Sequence, residues 1–355
     1  MELSYCDGNG LRLLQLFNEE TMKTKKLVAA CSVILFSPII HAGSVNTLEG
    51  APDILLSGGV AAGYYYSTHT RSGDDKNFET TDVLVEISSQ PIEIEPIDFT
   101  FGVGSLSGTT VTSAAGSDTQ AEFGVQHASV KYAAFENLLL ETGVLESHIG
   151  YESNVSFNNQ HATLGALKTI QPGYNNAGRA TYKMGDVNLY GEVSQPLAFA
   201  LGMNGKISDW NFEMNYYDED DGKSIIDLVL AGEVGKLKYA LNVNYVLLDV
   251  KIADNDDTAL AGALHFSADI ARLTIPFRVE YIDDGTSGIY ALTPGAKGYG
   301  KGFTLTTSPT LNISKAGYVR AEFSMVTTNN TILRDADGVG QKSAVSAAVQ
   351  MGYRF

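Results

Sequence analysis

The sequence predicts an all-β fold, a single transmembrane antiparallel up-and-down β-barrel of about sixteen strands, within a range of fourteen to eighteen. Apolar and polar residues alternate with a period of two in segment after segment after residue 42. Long polar connections alternate with very short ones along the chain. Charged residues make up only 18% of the chain while Gly and Tyr are abundant, a balance typical of short strands rather than charged helices.

The N-terminal region resembles an export signal. A basic stretch from Met22 is followed by the apolar run 27–40 and a small-residue cleavage site ending at Ala42. We therefore expect a signal peptide over 22–42, with an h-region too short to span a bilayer. Residues 1–21 place acids ahead of the basic end, which an export signal avoids, so we expect a mis-assigned start and translation from Met22.

Residues 43–355 then form the barrel. Both cysteines, Cys6 and Cys31, precede this region, so it has no thiol for a disulfide, a metal or nucleophilic catalysis. Cys31 follows small residues as in a lipoprotein signal. Its apolar stretch follows the cysteine instead of preceding it, which makes a lipid anchor the weaker alternative.

The alternation places each strand. It is clearest around Leu237, Tyr239 and Leu241, which share one face while Lys238 and Ala240 share the other. The predicted strands are 53–67, 78–89, 96–105, 121–133, 136–149, 176–185, 187–195, 197–207, 209–217, 223–234, 236–248, 258–270, 272–283, 299–308, 317–327 and 343–355. The fourth changes parity and is expected to carry a β-bulge. The seventh and eighth could instead form one long strand containing Pro196.

The connections favour a membrane barrel over a soluble sandwich. Short links such as Gly185-Asp186 and Gly235 alternate with long polar ones such as 150–175 and 284–298. Strands that cross a bilayer with tight turns on one side produce this asymmetry, whereas two soluble layers give no reason for it. The net charge of -17 excludes nucleic acid as a partner, because phosphates are bound by Lys and Arg.

Several segments resemble a known family. "GYE…QPGYNNAGRATYK" (150–183), "VEYIDDG" (279–285), "GFTLTTSPTLNISKAGYVRAEF" (302–323) and the closing "MGYRF" are similar to the OmpL-like β-barrel porins of bacterial outer membranes. The resemblance implies a porin-like diffusion channel and no particular solute. The aromatic end of the last strand resembles the outer-membrane assembly signal, which assigns that role to Tyr353 and Phe355.

With apolar residues toward lipid, the opposite parity faces a watery lumen. The pore-lining candidates are Asp82, Glu86, Asp98, Glu141, Arg179, Lys183, Glu213, Asp227, Arg278, Glu280, Arg320, Glu322 and Arg354, and Glu122, Glu192 and Glu233 share their parity. Acids outnumber bases, which favours cations over anions. Alternatively, these groups pair across strands and only keep the wall polar.

Two features bear on a constriction. Arg278, Arg320 and Arg354 could form a basic ladder facing an acidic wall, but pairing of the first two with Glu280 and Glu322 on the same faces is the favoured interpretation. The third long connection, 151–175, is the candidate constriction loop, because the third outer loop of sixteen-strand general porins folds inward. Its candidate residues are Glu152, His161 and Lys168. A surface loop is the alternative.

No enzyme, metal or cofactor is expected. His265, Ser267 and Asp269 share a face, but a Ser–His relay needs tertiary placement that one strand does not provide. The acidic stretches "DEDDG" and "DADG" lack the spacing and closing Glu of a calcium loop, and no phosphate loop or dinucleotide motif is present.

The sequence thus predicts an outer-membrane porin for small hydrophilic solutes, with both termini periplasmic. The expected partners are outer-membrane lipid and lipopolysaccharide, the barrel-assembly machinery, and further copies of the chain in a homo-oligomer. The competing hypothesis is a non-conducting surface barrel that serves as an adhesin, receptor or structural protein through its outer loops.

Overall fold

The computed structural model describes residues 44–45, 54–69, 76–89, 96–106, 108, 110, 123–219, 222–248, 258–292, 299–335 and 337–355. The predicted start at Met22, the signal peptide and the lumen position of Glu122 fall outside the described residues and stay predictions. Within the described ranges no helix is long and apolar enough to cross a membrane.

Sixteen antiparallel strands form the barrel, as predicted. Their bounds are β1 Ile54–Ser67, β2 Lys76–Ser89, β3 Ile97–Leu106, β4 Gly124–Phe135, β5 Leu138–Glu146, β6 Tyr174–Met184, β7 Val187–Ser194, β8 Ala198–Ile207, β9 Trp210–Glu219, β10 Lys223–Val234, β11 Leu237–Leu248, β12 Thr258–Ile270, β13 Leu273–Gly285, β14 Gly300–Thr307 continued by Thr310–Asn312, β15 Gly317–Thr328 and β16 Ser343–Arg354. Each strand pairs with the next along the chain.

The last strand closes the barrel on the first. β16 pairs with β1 from Gly59 opposite Arg354 to Ser67 opposite Ser346. Beyond the strand, the backbone N–H of Phe355 donates to the carbonyl of Gly58 at 2.9 Å, and the N–H of Gly58 donates back at 3.0 Å. Among the described strands closure leaves no unpaired sheet edge, which a barrel in lipid requires. The predicted pairing of the final segment with the first strand is confirmed.

The structure shows the local geometry of the two irregular regions in the predicted strands, the fourth strand and the segment around Pro196. On β4, Gly102 faces His127 and Val103 faces Val125, so Gln126 is the extra residue of a bulge, as predicted for this strand. Its side-chain amide donates to the carbonyl of Gly104 at 3.0 Å. Pro196 lies in a three-residue turn, 195–197, so β7 and β8 are two strands.

The two ends of the barrel differ. Turns of two residues, such as 136–137 and 208–209, lie at the end where β1 begins and β16 ends. The longest described connection at the other end is 147–173. Two connections there, 195–197 and 220–222, are as short as turns. The predicted asymmetry is therefore present overall, with these two exceptions.

Apolar side chains cover the outer surface. On β12, Leu260, Leu264 and Phe266 are exposed, while the alternating Ala261 and His265 are buried inside. The same parity runs through the other strands, because successive side chains of a strand point to opposite faces. In a barrel of this size the exposed apolar band is the surface that lipid covers.

Replacing Leu264 by Arg should destabilise the barrel by about 2–4 kcal/mol, because this outward residue lies at the middle of β12, where a charge would sit in the bilayer centre. Ile270→Arg, on the same face at the strand end, is the matched control and should cost about 0–1 kcal/mol. Urea unfolding from lipid vesicles measures both. Equal costs at the two positions would contradict the assignment of this face to lipid.

Candidate functional site

The third long connection, residues 147–173 and here called L3, lies inside the barrel. Its neck is closed by a hydrogen bond from the backbone N–H of Ser147 to the carbonyl of Gly173, at 2.9 Å. Beyond the neck the loop carries two short 3-10 turns, Ser156–Asn158 and Leu167–Thr169, and buries most of its side chains. L3 thus occupies lumen space that sixteen strands would otherwise leave open to water.

Carboxylates on the barrel wall accept hydrogen bonds from backbone N–H groups of L3. A loop buried away from water must find partners for these donors, and acids that face the lumen supply them. The bonds run from Gly150 to Asp227 (3.0 Å), from Ser156 to Asp82, from Ala162 to Glu322 (2.7 Å) and from Leu167 to Glu280 (3.1 Å). The four acids come from β10, β2, β15 and β13, so L3 is held across the whole lumen.

Glu322 is the most densely bonded of these anchors. Besides the hydrogen bond from the backbone N–H of Ala162, it accepts one from the hydroxyl of Thr163 at 2.5 Å and one from the hydroxyl of Ser308 at 2.7 Å. Ser308 lies where β14 is interrupted before Pro309, and it also contacts Nδ1 of His161 at 2.7 Å. The break in β14 therefore contributes a side chain to the contact with L3.

Arg278 also binds L3, but through a positive charge, whereas the four anchors above are acids. Its guanidinium is fully buried, lies 2.5 Å from Glu152 of L3 and 3.4 Å from Glu280 on its own strand, and donates to the carbonyl of Thr163 at 2.9 Å. The contact with Glu280 is the pairing that the sequence favoured. The shorter contact with Glu152 joins a predicted pore-lining residue to a predicted constriction-loop residue.

Arg320 also binds L3. It donates to the carbonyl of Asn159 at 2.8 Å and to side-chain oxygens of Thr310 at 3.1 Å and Gln350 at 3.3 Å. These contacts take the place of the pairing with Glu322 that the sequence favoured. Arg354 is exposed at the short-turn end of β16, so the three arginines have different surroundings.

An amide network fixes the end of L3. Gln171 donates to the side-chain oxygens of Asn242 at 3.1 Å and Asn244 at 2.7 Å, and both Asn residues donate in turn to Asp227. Asp227 therefore anchors both ends of the loop. It holds Gln171 through the two Asn side chains, and it accepts a hydrogen bond from the backbone N–H of Gly150. Asn242 and Asn244 continue the predicted lumen face of Lys238 and Ala240 on β11, whereas the sequence gives no signal for Gln171, because loop residues follow no period.

Burial and the charge of Arg278 shift the pKa values of the titratable residues of L3. Burial alone would raise the pKa of Glu152, but the adjacent Arg278 outweighs it and lowers that pKa, so Glu152 is an anion. Burial, reinforced by Arg278, holds the pKa of His161 well below its ordinary value, so the imidazole is neutral. Burial also lowers the pKa of Lys168, although Glu152 opposes this shift.

Apolar side chains of L3 pack against the barrel wall on the side of β7 to β13. Ile149, Leu167 and Ile170 of L3 join a buried cluster with wall residues that include Ile225 and Val246. Leu164 of the modestly apolar "LGAL" stretch is buried as well. This packed region, here called the apolar plug, accounts for the presence of apolar residues in a loop that lies inside a polar wall.

Two groups of lumen charges differ in their access to water. The loop-bound charges, each contacting L3 and at most 4% exposed, are Asp82, Asp227, Arg278, Glu280, Arg320 and Glu322. The open-wall charges on β2 to β5 keep more exposed side chains, and they are Glu86, Asp98, Lys131 and Glu141. Nine of the ten are predicted pore-lining residues, and Lys131 was not among those predicted. Parity alone did not separate the two groups.

The open-wall charges contact one another loosely. Nζ of Lys131 lies 3.6 Å from Glu141, and Nδ1 of His127 lies 3.6 Å from Glu86. Arg179 on β6 is more buried and pairs tightly with Glu192 at 2.6 Å. Sequence reasoning passed over His127, whose lumen position depends on the bulge in β4.

The remaining candidates lie toward the short-turn end. Lys183 is exposed near the end of β6. Glu213 lies 3.5 Å from Nδ1 of His148 at a cavity of about 520 Å³, which Tyr151 and Lys206 also line. Burial and Arg179 lower the pKa of His148 to about 4, so this imidazole is neutral at pH 7.

The structure contains no relay around His265. Its ring packs at a tilt against Tyr151 of L3, with centroids 4.6 Å apart, and the buried hydroxyl of Ser267 has no hydrogen-bond partner among the described residues. Among the described residues no group of three or more His, Cys, Asp or Glu side chains could hold a metal ion. The lumen face of β12 therefore serves to support L3.

The fold is that of known outer-membrane channels. The outer-membrane-expressed OmpT of Vibrio cholerae superposes with a TM-score of 0.60 at 10% identity, over 88% of this chain and all of that one. The outer membrane channel DcaP of Acinetobacter baumannii gives a TM-score of 0.58 at 12% identity, over 89% of this chain and all of that one. OmpT is also known in a trimer form, with a TM-score of 0.61 at 9% identity, over 86% of this chain and all of that one.

At these identities the likeness shows the fold alone. No curated protein matches the sequence. The family described as "Putative beta-barrel porin-2, OmpL-like" matches residues 53–355, which is the whole of the barrel. A closed barrel of sixteen strands agrees with that match. The chain therefore belongs to this family of outer-membrane β-barrel porins and is a channel protein, not an enzyme.

Proposed function

We propose that this porin allows passive diffusion of small hydrophilic solutes and prefers cations. The observation that carries the proposal is the charge of the open-wall residues, whose side chains stay partly exposed while the loop-bound charges are buried. Three of the open-wall charges, Glu86, Asp98 and Glu141, are acids, and one, Lys131, is a base. A narrow aqueous passage beside low-dielectric walls concentrates the counter-ions of its fixed charges.

The orientation follows from the loop lengths. We infer that the short turns and both barrel ends face the periplasm, with the long connections outside, as in bacterial barrels. Tyr353 and Phe355, whose ring centroids are 6.3 Å apart, would lie in the periplasmic aromatic girdle and serve as the signal for the barrel-assembly machinery. Outer-membrane lipid and lipopolysaccharide would surround the apolar band, and the trimer form of OmpT supports a homo-oligomer.

Single-channel recording in planar bilayers tests the proposal. Discrete current steps are expected, and under a KCl gradient the reversal potential should have the sign of a cation-preferring pore. A barrel that folds, as judged by heat-modifiable gel migration, yet passes no current would overturn the proposal and favour the adhesin, receptor or structural alternative. Steps with an anion-preferring potential would overturn the cation preference alone.

A further inference from the structure

The cavity of about 520 Å³ lies inside the barrel between L3 and the short-turn end. His148 and Tyr151, at the start of L3, form its inner end. Asp186 and Lys206 line its mouth. Asp186 belongs to the turn between β6 and β7, and the exposed Lys206 comes just before the turn 208–209. The cavity therefore opens toward the short turns, on the side of L3 that faces away from the long connections.

Four polar side chains line one wall of this cavity, on the paired strands β8 and β9. Asn204 lies opposite Glu213, and Lys206 lies opposite Asn211. All four face the lumen, because they share the parity of the buried Asn215 and its partner positions. Lys206 and Glu213 are therefore diagonal neighbours, whose Cα atoms lie about 7–8 Å apart. One base and one acid thus point into the same cavity from two separate points.

Neither of these two charges is balanced by an opposite charge of the protein. Among the residues that the structure describes, Lys206 forms no ion pair, and the one ion-pair contact of Glu213 is with Nδ1 of His148, at 3.5 Å. Because burial and Arg179 lower the pKa of His148 to about 4, its imidazole is neutral at pH 7 and brings no balancing charge. The side chain of Glu213 is 22% exposed, so a ligand in the cavity can reach it.

An apolar surface lies directly beside the polar wall. Val229 and Ala231 of β10 line the cavity, and the register places them opposite Glu213 and Asn211. The ring of Tyr151 adds to this surface at the inner end. Sites for small ligands commonly occupy roughly 300–1,000 Å³ and combine apolar lining with a few convergent polar groups. The cavity has both properties.

We propose that this cavity binds zwitterions of the size of an amino acid with a short apolar side chain. Glu213 accepts hydrogen bonds from the ammonium group, and Lys206 donates to the carboxylate. The apolar side chain packs against Val229 and Ala231. A ligand with a single charge satisfies only one of the two groups, whereas a zwitterion satisfies both. The inference goes beyond the proposed channel function, because the site takes its ligand from solution at the short-turn end whether or not the barrel conducts.

Titration calorimetry of the full barrel, folded in detergent micelles, tests the site with L-valine as the probe. Two analogues each lack one charge, since valinamide keeps the ammonium group and isovalerate keeps the carboxylate. The wild type should bind valine about tenfold more tightly than either analogue, the loss expected for one charge-assisted hydrogen bond. Equal affinity for the three compounds, or no binding of valine to the folded wild type, would overturn the proposal.

Charge variants assign each end of the ligand. Glu213→Gln should bind valine and isovalerate equally well, because it has lost the partner of the ammonium group. Lys206→Gln should bind valine and valinamide equally well. Glu136→Gln and Lys315→Gln change the same residue types at exposed positions in other short turns, and they should keep the wild-type preferences. If the two cavity variants keep those preferences as well, these charges do not hold the ligand and the proposal is wrong.

An introduced cysteine locates the ligand, because both native cysteines, Cys6 and Cys31, precede the barrel. In a background with both changed to Ser, Asn211→Cys should react with a neutral methanethiosulfonate reagent, and saturating valine should slow this reaction several-fold. Glu136→Cys is the matched control and should react at the same rate with and without valine. Equal rates at Asn211→Cys in the two conditions would place the ligand elsewhere and overturn the site.

These measurements need no current, so they separate the site from the proposed channel function. Selective binding of valine by a barrel that is silent in planar bilayers supports the site and overturns only the diffusion proposal. A conducting barrel that binds valine no better than its two analogues overturns the site and leaves the channel function standing.

Discussion

Replacing residues 149–171 of L3 by two glycines should raise the single-channel conductance several-fold. The bond between Ser147 and Gly173 brings the ends of the loop together, so a short linker can join them without distorting β5 or β6. The variant loses the apolar plug and uncovers the loop-bound charges. Sixteen strands without an inward loop enclose a wide aqueous channel, and a wider passage should also weaken the charge preference.

The matched control removes the tip of another connection at the same end of the barrel. Asp337 and Val339 are exposed at the tip of the short hairpin formed by Leu333–Arg334 and Gly340–Gln341. Replacing residues 335–339 by two glycines should leave the conductance unchanged. If the L3 variant folds and its current steps are as small as those of the wild type, L3 does not limit the passage.

Arg278→Ala should lower the free energy of unfolding by about 3–5 kcal/mol, because removal of one partner leaves uncompensated charges in a buried site. Both Glu152 and Glu280 lose the guanidinium that lies 2.5 Å and 3.4 Å from them. Urea unfolding from vesicles measures the loss. Lys183→Ala is the control and should cost less than about 1 kcal/mol, because its side chain is exposed.

The same variant has an expected pH dependence. Arg278 lowers the pKa of Glu152 in the folded protein. The stability that this carboxylate contributes is therefore present above its unfolded pKa of about 4.3 and is lost as the pH falls through the lower folded value. The difference between wild type and Arg278→Ala should shrink on acidification. A difference that grows instead would mean that Glu152 does not bond to Arg278 as an anion.

The architecture could be predicted because a membrane barrel repeats one rule. Each strand alternates between lipid and lumen, so its bounds appear in the sequence to within a few residues, as for Lys223–Val234. The β4 bulge appeared as a break in parity, and the closing partner of β16 followed from the need to leave no open edge. These features depend on neighbours along the chain or on the single requirement of closure.

The site could be predicted only in part. The sequence indicated that the loop after β5 was the constriction candidate and named Glu152, His161 and Lys168 within it. It did not indicate which wall residues meet the loop, because L3 has no period and its partners lie on strands far along the chain. Thr163, for example, meets Glu322 across 159 residues.

Glu86 and Glu280 show the division most clearly. The sequence determined that both are glutamates on the lumen face of a strand, and hence that both belong to a polar wall. Only the tertiary structure decided that Glu280 is buried against the N–H of Leu167 and the guanidinium of Arg278, whereas Glu86 keeps contact with water. Parity selects a face of the sheet, but access to water depends on where one non-periodic loop folds.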